Sequence, residues 1–125
     1  MNFSDLDLLP ELLQAVADSG YTEPTPIQRQ AIPVVLAGRD VMGGAQTGTG
    51  KTAGFTLPLL QRLAPTANTS PSPARHPVRA LILCPTRELA LQVHESVCTY
   101  GRHIALRSTC IYGGVDMDAQ TKQLR

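Results

Sequence analysis

The segment that most constrains the fold is Ala45-Gln46-Thr47-Gly48-Thr49-Gly50-Lys51-Thr52. Its last three residues stand where the phosphate-binding loop pattern has its final glycine, its lysine and its hydroxyl residue. Ala45 replaces the pattern's first glycine, so the first turn of the loop must tolerate a Cβ. Asp40-Val41-Met42 is a strand candidate before the segment, and 53–63 is a helix candidate after it. This order of strand, loop and helix predicts a P-loop rather than a surface turn rich in glycine and threonine.

A P-loop binds the phosphates of a nucleotide because successive backbone N–H groups and a helix N-terminus point at them. In this arrangement Lys51 lies against the β- and γ-phosphates, and the Thr52 hydroxyl is a ligand of Mg²⁺. The segment therefore predicts a site for a nucleoside triphosphate with its metal ion.

The composition is that of one ordinary globular domain, with 125 residues of which 42% are hydrophobic. The formal charge of +1 gives no overall basic field, so any contact with a nucleic acid must be local. There is no apolar run of membrane-spanning length and no signal-peptide pattern at the N-terminus, so the expected location is cytoplasmic.

The three cysteines Cys84, Cys98 and Cys110 are widely spaced and form no C-x-x-C pair. This spacing argues against a disulfide framework and against a structural zinc site. His94 and Cys98 are four residues apart on a predicted helix and share a face, but two ligands do not complete a metal site. We therefore expect a helical pair near the core.

The N-terminal part predicts two helices joined by a stiff segment. Apolar spacing favours a helix over 10–18, which Gly20 ends. Alternating prolines extend the chain over 23–25, and Thr25 is placed to cap a helix that begins at Pro26. Pro33 is expected to bend or restart this helix.

Gln28 falls in the first turn of that second helix. Its amide matches the donor and acceptor edge of adenine, and Tyr21 offers an aromatic face. A capping role for Gln28 and a packing role for Tyr21 are the open alternatives.

The second half predicts two more strands and a helix. A mobile proline-rich loop is expected over 64–77, and the apolar run 79–84 is typical of a strand buried on both faces of a parallel sheet. A helix opens at Pro85-Thr86-Arg87 and is stopped by Gly101, and 106–112 is a third strand candidate. Together these elements predict an α/β fold with a parallel sheet.

Three turns are expected at the carboxyl edge of this sheet: the P-loop, Pro85-Thr86-Arg87 and Gly113-Gly114. An arginine in the first turn of a helix is unfavourable for the helix dipole, which suggests that Arg87 is placed for an anion. Thr86 and the glycine N–H groups are suited to phosphates. The alternative is an ordinary capped helix with an exposed arginine.

These motifs together resemble the start of a DEAD-box RNA helicase. Residues 20–28 are similar to the Q motif of that family, with Phe3 as its upstream aromatic residue. Residues 45–52 match the form of the P-loop that opens with alanine. Residues 85–90 resemble motif Ia, and 113–114 resemble the GG element.

The resemblance implies a P-loop NTPase domain of the RecA-like type, with a parallel sheet flanked by helices and incomplete in 1–125. It implies ATP and Mg²⁺ as cofactors and the sugar-phosphate backbone of RNA, read without sequence specificity, as a partner. It places Lys51 and Thr52 in the catalytic machinery. The residues it assigns to ATP are Phe3, Tyr21, Thr22, Gln28 and Ala45, Gln46, Thr47, Gly48, Thr49, Gly50, Lys51 and Thr52, and those it assigns to RNA are Pro85, Thr86, Arg87, Gly113 and Gly114.

The sequence contains no Asp-Glu-Ala-Asp, no Ser-Ala-Thr and no second RecA-like domain. Phosphoryl transfer needs the acidic residues and the arginine finger that these parts supply. We therefore expect an N-terminal fragment that lacks its C-terminal RecA-like partner domain, does not hydrolyse ATP alone and leaves an apolar sheet edge unpaired. Two alternatives remain: a P-loop enzyme without an RNA role, such as a kinase, and a non-catalytic nucleotide- or RNA-binding module.

Overall fold

In a computed structural model, residues 2–46, 50–67 and 78–112 of the chain are described. The described part is helical, and its helices pack around one apolar core. The elements are a 3₁₀ turn at Phe3–Leu6, α1 at Pro10–Asp18, α2 at Pro26–Leu36, α3 at Lys51–Leu63, a 3₁₀ turn at Ala64–Thr66 and α4 at Arg87–Tyr100.

The helix ends follow local signals in the sequence. α1 has the predicted bounds, and α2 begins at Pro26 after Thr25 as predicted. α2 does not restart at Pro33 but continues to Leu36. Pro33 has no N–H to donate to the carbonyl of Arg29, so the helix lacks one internal hydrogen bond but does not end there.

α3 begins at Lys51, directly after the capping residue Gly50, as expected for a P-loop helix that begins near Gly50 and two residues before the candidate 53–63. α4 is capped by Thr86, whose Oγ1 accepts a hydrogen bond from Leu89 N–H at 3.1 Å. Gly101 follows its last residue, as predicted.

The core joins α1, α2 and α3. Leu12, Ile32 and Leu57, one from each of these helices, are completely buried. Tyr100 at the end of α4 packs against the same cluster. This core holds α2 against α3, and it thereby fixes the start of α2 relative to the loop that precedes α3.

The predicted strands at 40–42, 79–84 and 106–112 are not paired into a sheet in the described part of the chain. The prediction that 79–84 is buried on both faces is wrong, because Leu81 is 78% exposed and Leu83 is 84% exposed. A parallel strand needs paired neighbours and a cover on each face. Residue types reveal strand preference but not whether such neighbours are in place.

Parts of the predictions lie outside the described residues: most of the proline-rich loop, the end of the chain beyond 112 and the centre of the P-loop at 47–49. Within the described ranges, no helix is both long and apolar enough to cross a membrane.

Candidate nucleotide site

The start of α2 is tied to the P-loop by the side chain of Gln28. This residue is only 6% exposed. Its Oε1 accepts a hydrogen bond from Thr25 N–H at 2.9 Å, and its Nε2 donates to the carbonyl oxygen of Gly50 at 3.1 Å. The amide plane of Gln28 is therefore fixed from both ends.

Gly50 is held in a conformation that only glycine adopts without strain. Its φ is +83°, in the left-handed region. A Cβ at this position would collide with Gln28 Nε2 and would lie 3.3 Å from Thr25 Oγ1. Its carbonyl oxygen accepts a second hydrogen bond, from Gly54 N–H at 3.1 Å. The close approach of α2 and the P-loop thus depends on the missing side chain of Gly50.

The N-terminus of α3 has the properties of an anion site. The hydrogen bond from Gly54 to Gly50 is the first of the helix, so the N–H groups of residues 51–53 have no partner within it. The Lys51 side chain is exposed and the Thr52 side chain is half-buried. A lysine ammonium, a hydroxyl and free N–H groups at the positive end of a helix dipole suit a polyphosphate with its metal ion.

The rest of the predicted P-loop is described only in part. Ala45 is half-buried and Gln46 is exposed. Thr47, Gly48 and Thr49 lie outside the described residues.

Thr25 was predicted as the cap of α2, and the structure also places its side chain beside the P-loop. Its Oγ1 is buried and faces the backbone N–H of Gln28 in a capping box, although this contact falls short of a hydrogen bond. It lies next to Gly50, so the hydroxyl is available to the P-loop.

The aromatic residues predicted for adenine make contacts of their own. Phe3 is 6% exposed and belongs to the apolar core, and its 3₁₀ turn contacts α2. Tyr21 is 56% exposed and lines a cavity of about 280 Å³ together with α4 residues, among them Tyr100. Thr22 is exposed. The structure therefore brings Gln28, Gly50 and Lys51 together at the start of α3, while the contacts of Phe3 and Tyr21 are with the core and α4.

The Tyr21 neighbourhood affects one ionisable group. Burial raises the pKa of Tyr100 to about 12, and the nearby Tyr21 hydroxyl acts in the same direction. Tyr21 therefore lies beside Tyr100 of α4.

The residues predicted for RNA lie at the start of α4. Pro85, Thr86 and Arg87 are all exposed. The Arg87 guanidinium lies 5.9 Å from the centroid of the Tyr112 ring, within the range of a cation–π contact. Sequence reasoning missed Tyr112, although its position directly before Gly113-Gly114 was a usable signal. Gly113 and Gly114 themselves lie outside the described residues.

No group of three or more His, Cys, Asp or Glu side chains suited to a metal ion occurs in the part of the chain that the structure describes.

The DEAD/DEAH box helicase family matches residues 25–125, and the chain belongs to this family. It is 48% identical over 122 residues to the ATP-dependent rRNA helicase RRP3 of Meyerozyma guilliermondii, covering 98% of this chain and 24% of that protein. It is 41% identical over 124 residues to the DEAD-box ATP-dependent RNA helicase RhpA of Helicobacter pylori, covering 99% of this chain and 23% of that protein. The chain therefore spans about a quarter of the length of these relatives.

Solved structures show the same relationship. The RNA helicase Prp28 from Chaetomium thermophilum bound to ADP is 40% identical with a TM-score of 0.83, over 96% of this chain and 28% of that one. A DEAD box protein from Methanococcus jannaschii is 35% identical with a TM-score of 0.78, over 100% of this chain and 32% of that one. The fold is therefore that of the P-loop, RecA-like domains of this family.

Proposed function

We propose that the chain is the ATP-binding and RNA-backbone-binding part of an ATP-dependent RNA helicase that remodels RNA duplexes or RNA–protein complexes. The observation that carries the proposal is the hydrogen bond from Gln28 Nε2 to Gly50 O at 3.1 Å. It joins a residue suited to a base to the loop suited to phosphates, and family membership supplies the context.

The phosphates of ATP would be held at the start of α3. Lys51 supplies a positive charge, and the N–H groups of residues 51–53 supply directional donors. Mg²⁺ fits the same place because the Thr52 hydroxyl is an oxygen ligand of the kind it prefers, with phosphate oxygens and water completing its shell. Bound there, the ion would neutralise charge on the phosphates.

Adenine would be recognised by the fixed amide of Gln28. A primary amide has two N–H donors and two acceptor lone pairs, and the described hydrogen bonds use one of each. One donor and one lone pair remain for the N7 and N6 groups of adenine. Guanine presents an acceptor where adenine presents the N6 donor, so the same amide would discriminate against GTP.

The RNA strand would run past the start of α4. The exposed Arg87, with the Thr86 hydroxyl beside it, is suited to a phosphate, and the glycine N–H groups of 113–114 are the predicted second contact. Backbone contacts of this kind carry no sequence information, so binding would be independent of RNA sequence.

A parallel sheet formed by 40–42, 79–84 and 106–112 with further strands remains part of the proposal, since the exposed apolar side chains of 79–84 are suited to such a partner. Cytoplasmic location stays a prediction.

The phosphate site is tested by binding of Mg²⁺-ATP to Lys51→Ala, measured by calorimetry. Loss of a hydrogen bond to a charged group lowers the affinity by about tenfold to a hundredfold. Lys122→Ala removes the same charge from the only other lysine of the chain and is the control. Equal affinities of the two variants would refute the assignment.

The RNA site is tested by binding of a single-stranded RNA to Arg87→Gln at several salt concentrations. Loss of one phosphate contact reduces the salt slope by about 0.7 and weakens binding to all sequences alike. Arg39→Gln, another exposed arginine, is the control. An unchanged slope in Arg87→Gln would contradict the proposed RNA path.

A further inference from the structure

Three side chains from two parts of the chain meet on α4, away from the nucleotide site. Cys98 Sγ lies 3.6 Å from His94 Nε2 and 3.5 Å from Ser108 Oγ. Ser108 Oγ in turn lies 3.2 Å from His94 Nε2. We call Cys98, His94 and Ser108 the thiol cluster.

The cluster is accessible from solvent. Cys98 is exposed, whereas Cys84 and Cys110 are half-buried. The prediction of a His94–Cys98 pair on one helix face is confirmed by the distance between them, but the expectation that the pair lies near the core is wrong for the thiol. The helix presents this thiol to solvent because the core-facing positions of α4 are Val93 and Tyr100.

The geometry suits a nucleophilic thiol. The thiolate is the reactive form of cysteine, and a neighbouring imidazole that takes up the thiol proton stabilises it as an ion pair. The Ser108 hydroxyl is placed to donate a hydrogen bond to the sulfur or to hold the imidazole in position. Because Ser108 comes from the segment after α4, the cluster exists only in the folded chain.

We propose that Cys98 is a modification site that exchanges with small disulfides of the glutathione type. His94 accepts the thiol proton, and the Cys98 thiolate attacks one sulfur of the disulfide. The original sulfur–sulfur bond breaks as the bond to Cys98 forms, and the released thiolate takes up the proton. The departing sulfur of the reagent is reduced to a thiol, the Cys98 sulfur is oxidised from a thiol to a disulfide, and the attacked sulfur stays at the disulfide level. The mixed disulfide displaces Ser108 from its contact with the Cys98 sulfur.

The test is the rate of mixed disulfide formation with oxidised glutathione, followed at each cysteine by mass spectrometry of peptides at pH 6.5. Each tenfold gain in thiolate raises the exchange rate about threefold, because nucleophilicity falls with basicity. Cys98 should therefore react faster in the native chain, where His94 Nε2 lies 3.6 Å from its sulfur, than in guanidinium. In His94→Gln this advantage should disappear, while the rates of Cys84 and Cys110 stay unchanged.

His103→Gln is the matched control, since it removes a histidine outside the cluster. The proposal is overturned if Cys98 reacts more slowly in the native wild-type chain than in guanidinium, or if His94→Gln and His103→Gln give the same Cys98 rate. A His94→Gln variant that fails to fold would show, at all three cysteines, the rates of the wild-type chain in guanidinium. In that case the proposal is decided by the rates of the wild-type chain with and without guanidinium and by Ser108→Ala, which should lower only the rate of Cys98.

Discussion

Replacing Gly50 by alanine tests the junction between Gln28 and the P-loop through two separate costs. The first is the backbone, because φ is +83° and the left-handed region costs an L-residue about 1–2 kcal/mol. The second is the collision of the new Cβ with Gln28 Nε2. This breaks the hydrogen bond from Gln28 to the Gly50 carbonyl, which is worth about 0.5–1.5 kcal/mol. Gly50→Ala should therefore destabilise the chain by about 1.5–3.5 kcal/mol.

Two other glycines separate these costs. Gly20 has a φ of +84°, but a Cβ there would meet no atom within 4 Å. Gly20→Ala should therefore lower the free energy of unfolding by about 1–2 kcal/mol, which is the contribution of the backbone conformation alone. Gly44 has neither a positive φ nor a neighbour within 4 Å, so Gly44→Ala should be neutral or stabilise by up to about 1 kcal/mol.

The assay is urea unfolding of the three variants and the wild type, followed by circular dichroism at one pH and temperature. The expected order of stability is Gly44→Ala, then Gly20→Ala, then Gly50→Ala as the least stable. If Gly50→Ala is no less stable than Gly20→Ala, the contact with Gln28 contributes nothing and the proposed junction is refuted.

Three further predictions concern packing and pH. Tyr100→Phe should reduce the loss of stability between pH 10 and 12. A tyrosine whose pKa is raised from about 10 to about 12 stabilises the fold below pH 10, and this stabilisation is lost as the pH rises to 12. Equal losses of stability in the variant and the wild type over this pH range would contradict the prediction. Hydrogen bonds from Gln14 and His103 lower the pKa of Asp18. The ionised Asp18 therefore stabilises the fold above the ordinary pKa of an aspartate, and this stabilisation is lost as the pH falls through the lowered pKa. Asp18→Asn should accordingly have a flatter acid unfolding profile than the wild type, and a steeper one would refute the argument. Gln61 accepts from Leu9 N–H and donates to the carbonyl of Asp7, both at 2.8 Å, so Gln61→Ala should cost about 1–3 kcal/mol in urea unfolding, unlike the exposed control Gln92→Ala.

The helices were predictable because their signals are local. Pro26 after Thr25 starts α2, and Gly101 ends α4, in each case through groups within one turn of the helix end. The strand at 79–84 was not, since pairing depends on segments far away in the sequence. Side-chain contacts follow the same rule: those within one turn of a helix are predictable, and those between distant segments are not.

For the site, residue type identified Gln28 and Lys51, but not how they are connected. The hydrogen bond from Gln28 to Gly50 spans 22 residues and depends on the packing of α2 against α3. Phe3 shows the converse, because an aromatic ring that a family motif assigns to a base is equally able to fill a core. The assignment of Phe3 to adenine stays a prediction.

The central claim is that one fixed amide beside the P-loop makes the site selective for adenine. The most direct measurement compares the affinities of Mg²⁺-ATP and Mg²⁺-GTP for the wild-type chain and for Gln28→Ala. Two hydrogen bonds to the base predict a preference for ATP of about tenfold or more in the wild type, and Gln28→Ala should lose it. Equal affinities of the wild-type chain for both nucleotides, or a preference that survives in Gln28→Ala, would contradict the account.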